Sequence, residues 1–360
     1  MDLGPRLDRL RARFDGIDAL LVTRLVNVRY LTGFTGSAAL LLVTGDAATF
    51  VTDGRYRDQA ADQLHEAGVT AEIVVGLTQA DQRAALADAA AAAGVERLGL
   101  EAEGVTWSQQ RGYVEWFPEA ELVATSGLVD DLRMVKEAGE VERIRAACAI
   151  ADDALAEVLP SLHDAPTERA FALRLEFAMR ERGATGVSFD PIVASGPNGA
   201  KPHARPSDRQ VAPGELVVID FGCVVDGYCS DMTRTVSVGD PGPDARRLWD
   251  TVADAQRRGC DAVAVGVDCA AVDRASRDVI TEAGWGDAFI HGTGHGVGLE
   301  IHESPRVAST STGTLAAGHV VTVEPGVYLP GLGGVRIEDT LVVTADGPEA
   351  LTEFPKQLVV

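Results

Sequence analysis

The chain has 360 residues, of which 46% are hydrophobic and 24% charged, and its formal net charge is −22. This length exceeds what one hydrophobic core usually serves, so two domains are expected. The negative charge argues against a nucleic-acid partner, because a phosphate backbone needs a basic protein face. Mixed charges at the N-terminus and only short apolar runs predict neither a secretory signal nor a membrane association.

The cysteines predict a reducing compartment. They are odd in number and show no CxxC spacing, which is typical of buried, reduced thiols in a cytoplasmic protein. The five are Cys148, Cys223, Cys229, Cys260 and Cys269.

The first part of the chain, residues 1–125, alternates between strand and helix patterns. Short apolar runs predict strands at residues 18–23, 38–43, 73–75 and 97–100. An alanine-rich helix is predicted over residues 79–93, with Gly94 as its C-terminal cap. These patterns predict a small α/β domain without a catalytic cluster.

A change near Ser126-Gly127 predicts a linker at residues 126–135, followed by a second domain at residues 136–360. Helices are predicted at residues 136–159, 166–183, 244–265 and 270–283, with Pro160 stopping the first and Pro166 in the first turn of the second. Strands are expected to carry the chemically interesting residues. The order of helices, hairpin, helices and strands predicts an α+β domain with its site on an antiparallel sheet.

A predicted hairpin brings two aspartates together. A two-residue turn at Asp226-Gly227 places Asp220 opposite Thr233 and Gly222 opposite Asp231. Because side chains alternate, the two aspartates share one face as diagonal neighbours about 7–8 Å apart, and the glycine between them leaves room for a metal. The alternative is a solvated hairpin flanked by aspartates. Against it, Asp220 ends an apolar run, where a lone buried charge would be costly.

A glycine-rich run over residues 289–298 contains two of three closely spaced histidines, His291, His295 and His302. The run fails the spacing of a phosphate-binding glycine loop, so its glycines are expected to let backbones approach a compact site. No HExxH sequence is present at His302-Glu303, which disfavours a mononuclear zinc peptidase. Histidines grouped in this way are typical of ligands and catalytic groups.

Two glutamates complete the set. Glu324 ends a predicted strand, and Arg336 and Glu338 share a face of another. An arginine beside a metal-bound carboxylate can orient it or bind a substrate carboxylate, although an exposed ion pair is the alternative. Four carboxylates and one imidazole carry more negative charge than can stay uncompensated. Two divalent cations would neutralise it and could activate a water for hydrolysis.

Together these segments resemble the pita-bread metallopeptidase family, which comprises Xaa-Pro aminopeptidases, prolidases and methionine aminopeptidases. The resemblance covers about residues 130–360 and rests on five stretches, 220–222, 230–235, 291–298, 323–326 and 336–339. Residues 27–34 and 52–56 resemble the N-terminal domain of the proline-specific branch. The fold implied is α+β, a C-terminal pita-bread (creatinase/aminopeptidase) domain preceded by a smaller α/β creatinase-like domain.

The resemblance implies a role for each matching residue. The implied ligands of two metal ions are Asp220, Asp231, His295, Glu324 and Glu338. Asp231 and Glu338 would bridge the ions, which are manganese in the first place and cobalt or zinc as alternatives. The implied catalytic residues are Glu324, His302 and His203, and the implied substrate-binding residues are His291 and Arg336.

The implied activity is hydrolysis of the Xaa-Pro bond in proline-containing dipeptides or short peptides by a cytoplasmic homodimer. Dipeptidase and aminopeptidase specificity both stay open. Methionine aminopeptidase is disfavoured, because it typically lacks such an N-terminal domain, and creatinase does not use the metal set. A catalytically inactive peptide- or protein-binding member of the same fold is the alternative from another functional class, and metal analysis would discriminate it.

Overall fold

A computed structural model describes all 360 residues, and the chain divides into two units, Met1–Arg133 and Met134–Val360. The exact limits of the two predicted domains, 1–125 and 136–360, stay a prediction. Helix α6, defined below, lies inside the predicted linker at 126–135. Its Arg133 is buried and donates to the side chain of Asn27.

The first unit is a mixed sheet with helices. The helices are α1 (Gly4–Arg11), α2 (Leu25–Thr32), α3 (Arg57–Glu66), α4 (Gln79–Ala92), α5 (Trp107–Trp116) and α6 (Asp130–Met134), with a short 3₁₀ helix at Gly54–Tyr56. The strands are β1 (Ala19–Val22), β2 (Ala39–Thr44), β3 (Ala48–Thr52), β4 (Glu72–Val75), β5 (Arg97–Glu101) and β6 (Glu121–Thr125). They form one sheet in the order β4-β3-β2-β1-β5-β6. The pairs β1–β2 and β2–β3 are antiparallel and the others parallel.

Local signals explain these elements. Thr78 caps the N-terminus of α4 and forms a reciprocal capping box with Asp81, and Gly94, at φ 65°, follows the C-terminal cap Ala93. Strand β1 is apolar and buried throughout, as expected of a central strand. The four predicted strands and the alanine-rich helix of this unit are confirmed.

The second unit contains helices and four smaller sheets. The helices are α7 (Ala138–Val158), α8 (Glu168–Glu181), α9 (Pro243–Ala262) and α10 (Cys269–Glu282), with 3₁₀ helices at Leu159–Asp164, Gly196–Ala200 and Gly286–Ala288. The strands are β7 (Gly186–Val187), β8 (Ile192–Ser195), β9 (Leu216–Phe221), β10 (Cys223–Val225), β11 (Tyr228–Cys229), β12 (Met232–Ser237), β13 (Gly294–Gly296), β14 (Glu303–Val307), β15 (Val320–Val323), β16 (Gly326–Leu329), β17 (Gly333–Arg336), β18 (Asp339–Thr344) and β19 (Gly347–Ala350).

The sheets have the orders β11-β10-β7, β12-β9-β8, β14-β13-β15-β18-β19 and β16-β17. Every pairing in them is antiparallel. An α/β unit followed by an antiparallel α+β unit is the predicted fold class, which is confirmed.

Helices α7 and α8 pack on the hairpin strands. Ala151 and Leu155 of α7 and Phe171 and Leu175 of α8 are fully buried and share one core with Ile219 of β9. The i, i+4 spacing of each pair gives each helix one apolar stripe. The rear face of the hairpin is thereby covered.

The predicted stop of the first helix at Pro160 is confirmed, because α7 ends at Val158 and a separate 3₁₀ helix, Leu159–Asp164, follows it. The prediction for Pro166 is wrong, because this residue precedes α8 rather than occupying its first turn. Thr167 is the cap, since its hydroxyl accepts from the Ala170 amide at 3.1 Å.

All five cysteines are free thiols. The absence of disulfides agrees with the odd number and spacing of the cysteines. None of the helices combines the length and the apolar composition that a membrane crossing requires.

Candidate metal centre

The hairpin has the predicted register. Asp226 and Gly227 have φ of 46° and 83°, as a two-residue turn of this type requires, and Asp220 lies opposite Thr233. The reason for a glycine at 222 differs from the expectation, because a Cβ there would overlap the Ser230 carbonyl. A close backbone approach, and not space for a metal, requires this residue to be glycine.

His295 is held by backbone contacts on both sides. A Cβ at Gly294 would overlap the Thr322 carbonyl, and one at Gly296 would overlap the Ser304 carbonyl, so β13 lies very close to its neighbours. The His295 Nδ1 lies 3.0 Å from the Gly296 carbonyl oxygen. Since a carbonyl only accepts, Nδ1 carries a proton, so Nε2 is the ring nitrogen that can bind a metal ion once it is deprotonated.

Carboxylate oxygens of neighbouring residues lie close to this nitrogen. One ligand atom each of Asp231, His295 and Glu338 lie within 4.8 Å of one another. The His295 Nε2 is 3.5 Å from Asp231 Oδ2 and 3.3 Å from Glu324 Oε1. Such a group of oxygens around one imidazole can hold a divalent cation.

Two carboxylate oxygens at the site lack a protein partner. Glu338 Oε2 accepts from the Thr233 hydroxyl at 2.7 Å, and Asp220 Oδ2 accepts from Arg336. The other oxygen of each carboxylate, Glu338 Oε1 and Asp220 Oδ1, is buried without a hydrogen bond. Because buried carboxylate oxygens are rarely left unpaired, these two fit a bound cation.

The carboxylates of the cluster differ in the direction in which their pKa values are shifted. Burial and neighbouring carboxylates raise the pKa of Asp231 and of Glu338, and burial raises the pKa of Asp220 despite Arg336. Burial also opposes ionisation of Glu324, yet the hydrogen bond and charge of His295 lower its pKa to about 2. Several of these groups therefore resist ionisation without added positive charge, which cations would supply.

Arg336 is not part of an exposed ion pair. It is 3% exposed, and besides Asp220 it donates to the Tyr328 hydroxyl at 2.7 Å and to the Pro202 carbonyl at 3.3 Å. The Tyr328 hydroxyl also lies 2.9 Å from Nε2 of His291. A continuous polar chain therefore joins the carboxylates to His291.

The other two predicted site histidines, His203 and His302, lie at the edge of the cluster. The ring of His302, an exposed residue, is 4.4 Å from that of His295, centroid to centroid. His203 is exposed, and its charge contributes to lowering the pKa of both His291 and His302, after the larger effect of burial. The structure thus brings the predicted carboxylates, His295 and Arg336 into one buried cluster, with His203 and His302 outside it.

Sequence reasoning missed Tyr328. It lies four residues after Glu324 and pairs across β16–β17 with Gly334, where a Cβ would clash with its ring. The position of the Tyr328 ring follows only from this pairing with Gly334, which the sequence analysis did not predict. The expectation that strands carry all the site residues also needs correction, since Asp231, Glu324 and Glu338 lie just outside strands.

Comparison with known proteins gives consistent matches over the chain. Residues 142–345 match "Metallopeptidase family M24", and residues 6–135 match "Creatinase/Prolidase N-terminal domain". An Xaa-Pro dipeptidase of Pyrococcus furiosus is 35% identical over 98% of this chain and 99% of its own length.

Two solved structures are also similar. An Xaa-Pro dipeptidase from Bacillus anthracis has a TM-score of 0.94 at 41% identity, covering 99% of both chains. An X-Pro aminopeptidase from Thermotoga maritima has a TM-score of 0.90 at 35% identity, covering 99% of this chain and 100% of its own.

Proposed function

For this chain, which belongs to the metallopeptidase family M24 and carries a creatinase/prolidase N-terminal domain, we propose metal-dependent hydrolysis of the Xaa-Pro peptide bond. The family resemblance that the motifs indicated is confirmed. The chain is an Xaa-Pro peptidase that releases the N-terminal residue from proline-containing dipeptides or short peptides. Relatives named as Xaa-Pro dipeptidases at 35% and 41% identity support this activity.

One observation supports it most strongly at the level of the residues. Asp231, His295 and Glu338 converge within 4.8 Å, and buried oxygens of Asp220 and Glu338 have no partner. With Glu324 they would hold two divalent ions, with Asp231 and Glu338 shared between them. Manganese is the ion we propose first, with cobalt or zinc as alternatives.

When bound, the two cations would supply Lewis acidity and lower the pKa of a water. Glu324, whose pKa is about 2, is ionised at neutral pH and can take a proton from that water and pass it to the leaving nitrogen. Burial and the charge of His295 lower the pKa of His302, so its neutral ring can donate to the developing oxyanion.

Substrate binding is assigned to the polar chain beside the carboxylates. His291, Tyr328 and Arg336 form it through hydrogen bonds of 2.9 and 2.7 Å, and their donors suit the carbonyl or carboxylate of a proline residue. His203 would contact the substrate from the exposed edge. Proline needs such a dedicated pocket because its nitrogen lacks a hydrogen and its ring fixes the chain.

The proposal extends to a homodimer in the cytoplasm that acts on dipeptides and on short peptides. These points rest on the family resemblance. One relative is named as a dipeptidase and another as an aminopeptidase, which supports keeping both peptide lengths as substrates.

The test is cleavage of Ala-Pro and Ala-Pro-Ala by the purified protein, before and after chelation and after addition of manganese, with Ala-Ala as the control peptide. We expect cleavage of the proline peptides that is lost on chelation and restored by metal. Undiminished cleavage after metal removal would overturn the proposal. Absence of both cleavage and a bound or bindable divalent ion would support the inactive, peptide- or protein-binding alternative.

A further inference from the structure

Glu168, at the start of α8, is a fully buried carboxylate outside the cluster described above. Its Oε1 accepts from the amide and the hydroxyl of Ser195 at 2.7 and 2.8 Å. Its Oε2 accepts from the amide and the hydroxyl of Ser207 at 3.0 and 2.6 Å. The Asn198 amide lies 3.1 and 3.0 Å from the two oxygens.

All six of these bonds come from one segment, residues 195–207, which we call the 195–207 loop. Burial of a carboxylate is costly, but hydrogen bonds to the charged form compensate for it. Accordingly, the bonds from Ser207 and Ser195 outweigh the opposing effect of burial, and the pKa of Glu168 is lowered. The carboxylate thus holds both ends of the loop in place.

The middle of the loop touches the candidate metal centre. A Cβ at Gly334 would overlap the Gly199 carbonyl, so the loop packs directly on β17, the strand that ends at Arg336. The Pro202 carbonyl accepts from the Arg336 guanidinium at 3.3 Å. The loop is therefore one wall of the substrate site.

His203 follows Pro202 in this wall. It is exposed, and its chain neighbour Pro202 is the residue whose carbonyl accepts from Arg336. The backbone of the 195–207 loop therefore has to set where its ring lies. Glu168 is the group that fixes this backbone from behind.

We infer that Glu168 is a positioning residue for His203, acting through the 195–207 loop. This inference rests on the proposed Xaa-Pro peptidase function. Glu168 does not touch the substrate, so its effect passes through the loop. A displacement of about 1 Å in a substrate-positioning group can reduce the rate about 100-fold.

The test is a double-mutant cycle with Ala-Pro as substrate and manganese bound, using Glu168→Gln, His203→Ala and the double variant. The glutamine keeps the shape but presents an N–H to loop donors. We expect kcat/KM to fall about 10- to 100-fold in E168Q, with unchanged manganese content, and no further fall when E168Q is added to H203A. Losses that multiply in the double variant would overturn the inference.

Thr167→Ala is the matched control. It removes the cap of the same helix without touching the 195–207 loop, and we expect a lower Tm with unchanged kcat/KM. If E168Q does not fold, Ser207→Ala and Asn198→Ala each remove donors to the carboxylate. Wild-type kinetics in both of these variants would also overturn the inference.

Amide hydrogen exchange gives a readout that needs no turnover. Residues 196–206 should exchange faster in E168Q or S207A than in the wild type, while α9 and α10 stay unchanged. Equal exchange in the loop would contradict the inference even if the wild type cleaves no Xaa-Pro peptide. Conversely, an active wild type with unaltered variants would overturn the inference and leave the peptidase function intact.

Discussion

The carboxylate side and the histidine side of the site are built in different ways. Asp220, Asp231 and Glu338 are 8, 4 and 1% exposed and lie in strands or directly beside them. His203 and His302 are exposed and lie in loops. Strand register is sufficient to bring the carboxylates together, whereas each loop histidine needs an anchor of its own.

Glu168 provides such an anchor for the segment of His203. The segment around His291 is held in a similar way by a buried aspartate and a half-buried arginine of α10, Asp273 and Arg277. Arg277 donates to the Phe289 and His291 carbonyls at 2.9 and 2.7 Å, and Asp273 accepts from the Thr293 amide at 3.0 Å. Substitutions on the carboxylate side should therefore reduce metal binding, whereas substitutions on the histidine side should reduce the rate of cleavage.

The largest expected effect is on the carboxylate side. Glu338→Gln should reduce cleavage of Ala-Pro to the level of the metal-free protein and reduce the metal content measured by elemental analysis. Because burial and like charges raise the pKa of Glu338, the metal-free variant should also have a higher Tm than the metal-free wild type at pH 8. Glu349→Gln, an exposed carboxylate of β19, is the control and should change neither quantity.

On the histidine side, His302→Ala should reduce kcat about 100- to 1,000-fold, the usual loss when one donor to an oxyanion is removed. Metal content and the Tm of the loaded protein should match those of the wild type, because His302 is exposed and lies outside the buried cluster. A loss of metal comparable to that of E338Q would break the distinction between the two sides.

A smaller effect is expected where the two sides meet. Tyr328→Phe removes the hydroxyl that joins His291 to Arg336, at 2.9 and 2.7 Å. We expect kcat/KM to fall about tenfold, since a lost buried hydrogen bond costs about 1–1.5 kcal/mol. Tyr113→Phe, a buried tyrosine of the first unit, should leave the kinetics unchanged.

The smallest effect is expected for Asp152→Asn, which tests how burial alone changes the pKa of a carboxylate outside the candidate metal centre. We expect no change in activity. Burial raises the pKa of Asp152 to about 6, and its Oδ1 is buried without a partner. A raised carboxyl pKa adds stability below the unfolded pKa of about 4, which is lost as the pH rises through about 6.

The asparagine variant should therefore be more stable than the wild type at pH 7–8, by about 1–3 kcal/mol. That difference should shrink below pH 6 and vanish near pH 4. Urea unfolding at several pH values measures it. A pH-independent difference would show that loss of a contact, and not the titration of Asp152, is responsible.

Much of the carboxylate side could be predicted from the sequence, because the information is local. The Asp226-Gly227 turn alone specifies the register that sets Asp220 opposite Thr233. The glycine-rich run similarly predicted the close backbone approach around His295. The fold class followed from the order of the elements.

The anchors could not be predicted, because their partners are distant in sequence. Glu168 reads as an ordinary acidic residue in the first turn of a helix, and its partners Ser195 and Ser207 are 27 and 39 residues away. Tyr328 likewise depends on the pairing of β16 with β17. The break in the strand before Glu338 was also missed, since an alternating pattern continues through it.

The glycines beside the site have a consequence for ion selectivity. At Gly294 and Gly296 the backbones of neighbouring strands are in direct contact. No side chain lies between them, so a substitution to a smaller or larger side chain cannot change the distance between these strands. The span between ligand-bearing backbones is therefore inherited from the sheet itself. A variant of this chain that prefers a cation of another ionic radius would have to change the length or the chemistry of a ligand side chain, since the strands offer no room for adjustment.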